Sequence, residues 1–385
     1  MDTTFLGYER PNGEAGIRNW VGVISVLDVA NPITRAICRT VGGTIPITTL
    51  FVRGQYGRDL EISYNVLAGM GSNPNLASVL LIGLESTSTE TVAERIRSSG
   101  KSVEAIVIQE AGGSISAMVQ GIRKAMSLVI EASQIRRTPI PLSALTIGVE
   151  CGGSDSTSGI SANPAIGRAA DRLVGEGGRV VISETAEFLG AEHIFAERAV
   201  SEEVRNRFLG LVLAHEKEAM GRGVDIRGTN PVPDNIRGGL TTIEEKALGA
   251  MTKAGTTPLV GVVEYGEPVT DRGMHFMATP APAVESMTGL AAGGCQLILF
   301  ATGVGNTIGN MVAPTIKVSG NINTVRTLVD DIDFDVSPIL ESGAPISEMG
   351  DSLFDYTVGV ASGTVTKSEV IDQRETAVSR FEPTI

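Results

Sequence analysis

At 385 residues the chain is long enough for two or three domains with cores of their own. Apolar residues make up 42% of it and aromatics only 4%, with 46 glycines, a balance that excludes a disordered chain and favours an aliphatic, turn-rich α/β protein over an all-β one. Thirty-one basic against 44 acidic residues give a formal charge of −13, which argues against nucleic-acid binding and leaves any anion site to local lysines, arginines and backbone amides.

Residues 1–5 lack the basic-then-apolar order of a signal peptide, and no apolar run reaches the roughly 18 residues of a membrane span. Cys38, Cys151 and Cys295 form neither a disulfide framework nor a zinc spacing, so a soluble, cytoplasmic protein is expected. Residues 20–27 read as a buried strand, followed from Pro32 by a helix carrying Ile33, Ala36, Ile37 and Val41. Strands at 78–84 and 105–108 alternate with helices at 90–96 and 115–132. Such alternation implies a parallel sheet with right-handed crossovers. This first α/β domain, residues 1–138, is expected to end at the proline-marked linker Thr138 to Pro141. The second, residues 139–385, carries strands at 145–149, 179–183, 258–263 and 296–300 and helices at 201–220, 244–251 and 284–292. The fold expected is α/β: two Rossmann-like parallel-sheet bodies with helical insertions. The acidic segment 330–335 lacks the central glycine of a calcium loop and reads as an exposed turn.

The stretch 150–167 crowds polar groups and glycines onto the end of an apolar strand and leads into a helix spaced by Ile166, Ala169, Ala170 and Leu173. Open α/β sheets bind ligands at that edge. Gly152 and Gly153 let backbone approach a ligand, while free amides near Ser154 and the helix start favour a carboxylate, phosphate or sulfonate. Cys151, Asp155 and Asn163 offer a metal ligand, a base and an amide clamp. The alternative is a loop that caps a helix through Asp155 or Ser158.

Glu184, Glu187, Glu192 and His193 follow the strand at 179–183 directly. Glu184 and Glu187 would share a face of a helix, which suits a general base or, with His193, a metal ion; an acidic helix start explains the same run. In 230–246, Asn230, Asn235, Arg237 and Lys246 surround a helix start with the capping box Thr241–Glu244 and could hold a multi-oxygen acid. The turn around Thr302 and Gly303 imitates a dinucleotide fingerprint with wrong glycine spacing, so an anion loop fed by Lys317 and Asn321 competes with a nicotinamide site. His215 reads as a packing residue and His275 as structural or catalytic.

The run Gly7-Tyr8-Glu9-Arg10-Pro11-Asn12-Gly13-Glu14-Ala15-Gly16-Ile17-Arg18-Asn19, together with 150–167, 230–246 and 301–305, resembles the altronate and galactarate dehydratase family over nearly the whole chain. The resemblance implies a lyase that expels a group β to the carboxylate of a 2-hydroxy acid, with a divalent metal such as Fe2+. It also implies a large subunit working in an oligomer with a separate small SAF-domain subunit. Asp155, Glu184 and Glu187 would then be catalytic. Gly152, Gly153, Ser154, Asn163, Asn235, Arg237, Lys246, Thr302, Gly303 and Lys317 would bind substrate, and Cys151, Glu184 and His193 would hold metal. The soft ligands usual in the family are missing from 51–59 and 82–86, where Arg53 and Arg58 appear instead. That exchange favours sulfite release from (2R)-sulfolactate, giving pyruvate, over water release from a sugar acid, because sulfite leaves without the Lewis acid or proton that hydroxide needs. A nicotinamide-dependent oxidoreductase and a non-catalytic subunit are the more distant readings.

Overall fold

The computed structural model describes residues 3–50, 53–382 and 384. Expectations that fall on residues 1, 2, 51 and 52, the start of the leader argument and of the arginine-bearing loop, lie outside the described residues. In chain order the strands of the first body are β1 (Thr4–Glu9), β2 (Ala15–Gly16), β3 (Trp20–Ser25), β4 (Thr44–Ile47), β5 (Leu76–Gly83) and β6 (Ser102–Val107). Its helices are α1 (Asn31–Thr40), α2 (Gly57–Ser72), α3 (Ser86–Arg97) and α4 (Ser114–Ala132). A four-stranded parallel sheet runs in the order β4-β3-β5-β6. Pro32 sits in the first turn of α1, where its missing N–H costs no hydrogen bond.

Thr138 to Pro141, expected as a linker, is instead strand β7 (Thr138–Pro141), paired antiparallel with β1 from Thr4↔Pro141 to Gly7↔Thr138. Prolines at alternate positions suit such an edge, where their lack of an N–H breaks no ladder. Beyond it come β8 (Thr146–Cys151), α5 (Ala162–Gly175), β9 (Arg179–Ile182), β10 (Leu259–Val263), β11 (Gly273–Met277), β12 (Leu297–Ala301), β13 (Thr315–Ser319) and β14 (Phe334–Asp335). These form a seven-stranded sheet in the order β10-β11-β9-β8-β12-β13-β14, every pair parallel. Every residue of β8, β11, β12 and β13 is buried, as a sheet covered on both faces requires. From β8 the chain steps one way to β9, and from β12 it steps the other way to β13. The neighbouring carboxyl ends of β8 and β12 therefore form the crevice at which open α/β sheets bind ligands.

The acidic segment is an exposed turn only in part: Asp330 and Asp335 are at the surface, but the rest is tied in. Asp331 is buried, and Asp333 accepts the backbone N–H of Lys317 at 2.8 Å and of Lys367 at 2.8 Å, tying β13 to the C-terminal region. The two bodies share a core in which Ile24 and Leu81 join Met277, Ile298 and Phe300. The helix Ala283–Ala292 lies so close to α2 that a Cβ on Gly69 would stand 2.5 Å from the Ala292 carbonyl oxygen. Asn75 stitches the seam: its amide donates to the Gln296 and Val312 carbonyls at 2.7 and 3.0 Å, and its oxygen accepts from the Ile17 N–H at 2.9 Å.

Candidate active site

The ends of β8 and β12 are zipped together through backbone. Gly152 N–H donates to the Ala301 carbonyl at 3.0 Å, while the N–H groups of Gly303 and Val304 both donate to the Gly153 carbonyl, at 3.0 and 2.9 Å. Glycine is required here: Gly153 has φ +67°, and a Cβ on Gly303 would lie 2.2 Å from the Asp155 carboxyl. No helix follows this turn; the chain runs irregularly from β12 to β13. The helix N-terminus that a dinucleotide pyrophosphate needs is therefore lacking at Gly303.

Asp155 serves the loop itself. Its Oδ1 accepts the N–H groups of Thr157 and Ser158 at 2.9 and 3.0 Å and both their hydroxyls, and its Oδ2 accepts the Asn321 amide at 2.8 Å. The Asn235 amide donates to the Ser154 carbonyl at 2.9 Å, and its oxygen accepts the Val232 N–H at 3.1 Å. Asn163 donates to the Gly249 carbonyl at 3.0 Å, and its Oδ1 has no hydrogen-bond partner; the buried Thr302 hydroxyl has none either. The segments 150–167, 230–246 and 301–310 thus converge, joined by backbone hydrogen bonds and by the Asn235 amide on the Ser154 carbonyl.

Beneath the loops lies a buried charge cluster. Glu184 follows β9 in a left-handed conformation, φ 69°, with its N–H on the Thr279 hydroxyl at 2.8 Å. That backbone turn aims its carboxylate back at β8, where Oε2 accepts the Cys151 N–H at 2.9 Å and Lys253 Nζ at 2.6 Å. Nζ also lies 3.2 Å from Cys151 Sγ, and Lys253 has no exposed surface. Glu150 points to the same region: Oε2 accepts from the hydroxyls of Ser183 and Ser286, and Oε1 is unpartnered. Burial, reinforced by the Glu184 charge, pushes the Glu150 carboxyl well above the usual carboxylate range. Burial also raises the Cys151 thiol. It would lower Lys253, but Cys151, Glu184 and Glu150 outweigh it and hold the ammonium above the ordinary lysine value.

Beside this cluster a cavity of about 350 Å³ is lined by Cys151, Gly152 to Ser154, Glu184, Glu187, Asn230 and Lys246. Lys246 Nζ bridges Glu187 Oε1 at 2.9 Å and Asn230 Oδ1 at 2.8 Å, whereas the buried Glu187 Oε2 has no partner. The cavity wall therefore holds a carboxylate with one unpartnered oxygen beside an ammonium it shares with Asn230.

Other expected residues lie apart. Arg237 is 72% exposed and pairs with Asp234 on its own short helix. Lys317 is buried within β13 and donates to the carbonyls of Thr307 and Ile308 at 3.0 and 3.2 Å, shaping the loop from behind. Arg53 and Arg58 are exposed, the latter 4.5 Å over the Phe381 ring. The capping residue of the helix Ile243–Met251 is Thr242, not Thr241; it accepts the Glu245 N–H, while Glu245 reaches back to Thr241. His275 is buried in β11 against the Gly273 carbonyl, and His215 is half-buried on the helix Glu202–Gly221.

The expected metal set is not assembled. His193 is exposed on the helix Glu192–Ala196, and the described residues hold no group of three or more His, Cys, Asp and Glu side chains able to hold a metal ion. Cys151 and Glu184 do meet, but Lys253 Nζ contacts both. A divalent ion does not fit that pair. Lys253 escaped the sequence reading, and Glu150, at the head of the 150–167 run, was given no role in it; the available signals were a carboxylate near the end of the apolar strand β8 and a lone lysine among the uncharged residues of 247–255.

Fold and site together define an α/β enzyme with a charged strand-end crevice for a small polar substrate. The chain belongs to the D-galactarate/altronate dehydratase family: residues 142–384 match the family's C-terminal region and residues 7–133 its second domain. It is 39% identical to the (2R)-sulfolactate sulfo-lyase subunit beta of Chromohalobacter salexigens, over 98% of this chain and 97% of that one. Altronate dehydratase of Bacillus subtilis is 31% identical over 99% of this chain and 78% of its own length. Galactarate dehydratase (L-threo-forming) of Escherichia coli is 31% identical over 94% and 73%. The chain is a lyase of this group. None of its described helices is long and apolar enough to cross a membrane.

Proposed function

We propose that the chain is the large subunit of a lyase that eliminates sulfite from (2R)-sulfolactate to give pyruvate. The observation that carries the reading is the 39% identity to a sulfo-lyase subunit beta along 97% of that relative, against 31% to the altronate and galactarate dehydratases along 78% and 73% of theirs. The cavity chemistry agrees. Glu187 Oε2, buried and unpaired, takes the proton from C2 of the 2-hydroxy acid; that electron pair forms the C2–C3 double bond as the C3–S bond breaks and sulfite departs with its electrons. The enol then gains a proton at C3, loses the proton of its C2 hydroxyl and becomes pyruvate. Lys246 meets the substrate carboxylate and stabilises the negative charge that builds on it as C2 is deprotonated. The amides of Gly153 and Ser154 face the other anionic group.

With Glu184 and Glu187 balanced against Lys246 and Lys253, the cavity carries no surplus positive charge for a substrate with two acid groups. We assign the missing cations to a separate small subunit of the SAF type, matching the subunit naming of the relative. The enzyme thus works as an oligomer in the cytoplasm. Water release from an altronate- or galactarate-type acid is the second reading, favoured by the family match itself. Incubating the chain and its small subunit with (2R)-sulfolactate, altronate and galactarate, and measuring sulfite and 2-keto acid, separates the two: sulfite with stoichiometric pyruvate is expected, and a 2-keto acid from the sugar acids alone would reverse the order.

A further inference from the structure

We infer that the ammonium of Lys253 is the resident cation of this active site, filling the place between Cys151 and Glu184 that a divalent metal would otherwise take. Cys151 Sγ and Glu184 Oε1 are 3.5 Å apart, a separation two ligands of one ion can adopt with bonds of about 2.0–2.3 Å. Lys253 Nζ stands 2.6 Å from Glu184 Oε2 and 3.2 Å from Cys151 Sγ, so an ion between these ligands would meet a like charge at contact distance. The lysine cannot swing aside. It sits without exposed surface in the one-turn segment Thr252–Ala254, pressed against α5 so closely that a Cβ on Gly167 would lie 2.1 Å from the Thr252 carbonyl oxygen.

Lys253 is therefore a positioning residue. It fixes Glu184 on its left-handed turn as a wall of the cavity without itself lining that cavity. The inference concerns the site of the proposed elimination, and its test needs no substrate, so it stands or falls apart from the substrate assignment.

The experiment is an anaerobic Co2+ titration of the wild-type chain, Lys253→Met, Lys253→Arg and the double variant Lys253→Met/Cys151→Ala. Thiolate-to-cobalt charge-transfer absorption is recorded, bound metal is measured after desalting, and far-ultraviolet circular dichroism checks folding. Wild type and Lys253→Arg are expected to show no charge-transfer band and to retain no cobalt. Lys253→Met should bind one cobalt per chain, tighter than wild type by about tenfold or more, with a band that Cys151→Ala abolishes. A Cys151-dependent band at one cobalt per chain in wild type or Lys253→Arg would overturn the inference, as would a folded Lys253→Met that binds none. Should Lys253→Met fail to fold, wild type and Lys253→Arg alone decide.

Discussion

In the proposed elimination the chemistry turns on Glu187, one oxygen of which is tied to Lys246 while the other is buried without a hydrogen-bond partner. Glu187→Gln keeps the shape and the Lys246 contact but removes the base. Its kcat should fall by about 10²–10⁴ with KM little changed, measured by sulfite release from the assembled enzyme; a kcat within a few-fold of wild type would remove Glu187 from the proton step. The sequence singled out this residue because carboxylates directly after a strand stand at the working edge of an α/β sheet. It could not divide labour among them. Glu184 and Glu187 differ only in what tertiary packing brings to each: Lys253 from 69 residues away, Lys246 from 59. Asp155 shows the converse, a promising carboxylate consumed by the turn it caps.

Among the elements, the central strands were legible because buried parallel strands are near-continuous apolar runs; β3, β5, β8 and β12 fall within two residues of expectation. The elements that escaped break that pattern. β11 is centred on His275, β13 on the buried Lys317, and α2 carries Gly69 and Gly71, which weaken its helical signature to make room for neighbours. His275 makes a prediction at this scale. Burial lowers its pKa below the ordinary 6.5, with Arg179 also lowering it, while the Gly273 carbonyl and Asp271 partly oppose. The folded protein thus binds fewer protons there than the unfolded chain, so stability is retained above pH 6.5 and lost as the pH falls through and below that value. His275→Gln should lose less melting temperature than wild type between pH 7.5 and about pH 5. Parallel declines in the two proteins would contradict a lowered His275 pKa in the folded state.

Across the whole molecule, the chain's two ends are bound to each other as well as to the sheets. Arg18 forms a two-pronged ion pair with Glu369, both 7% exposed, at 2.7 and 2.9 Å, and donates further to the carbonyls of Ile17, Val360 and Thr364. Arg18→Met leaves Glu369 buried without its partner, which should cost about 3–5 kcal/mol, read as a lowered urea midpoint; an unchanged midpoint would show that water replaces the guanidinium there. None of this long-range closure was visible in the pattern of residues, because a pair 351 positions apart has no local signature. The family resemblance did reach this scale, since it drew on motifs spread from residue 7 to residue 305. The most direct test of the central claim is a sulfite-release assay on the purified complex of this chain with the proposed small subunit. Sulfite and pyruvate formed one to one from (2R)-sulfolactate, with Glu187→Gln inactive, is the predicted result; an intact complex that leaves sulfolactate untouched while forming a 2-keto acid from altronate or galactarate would contradict it.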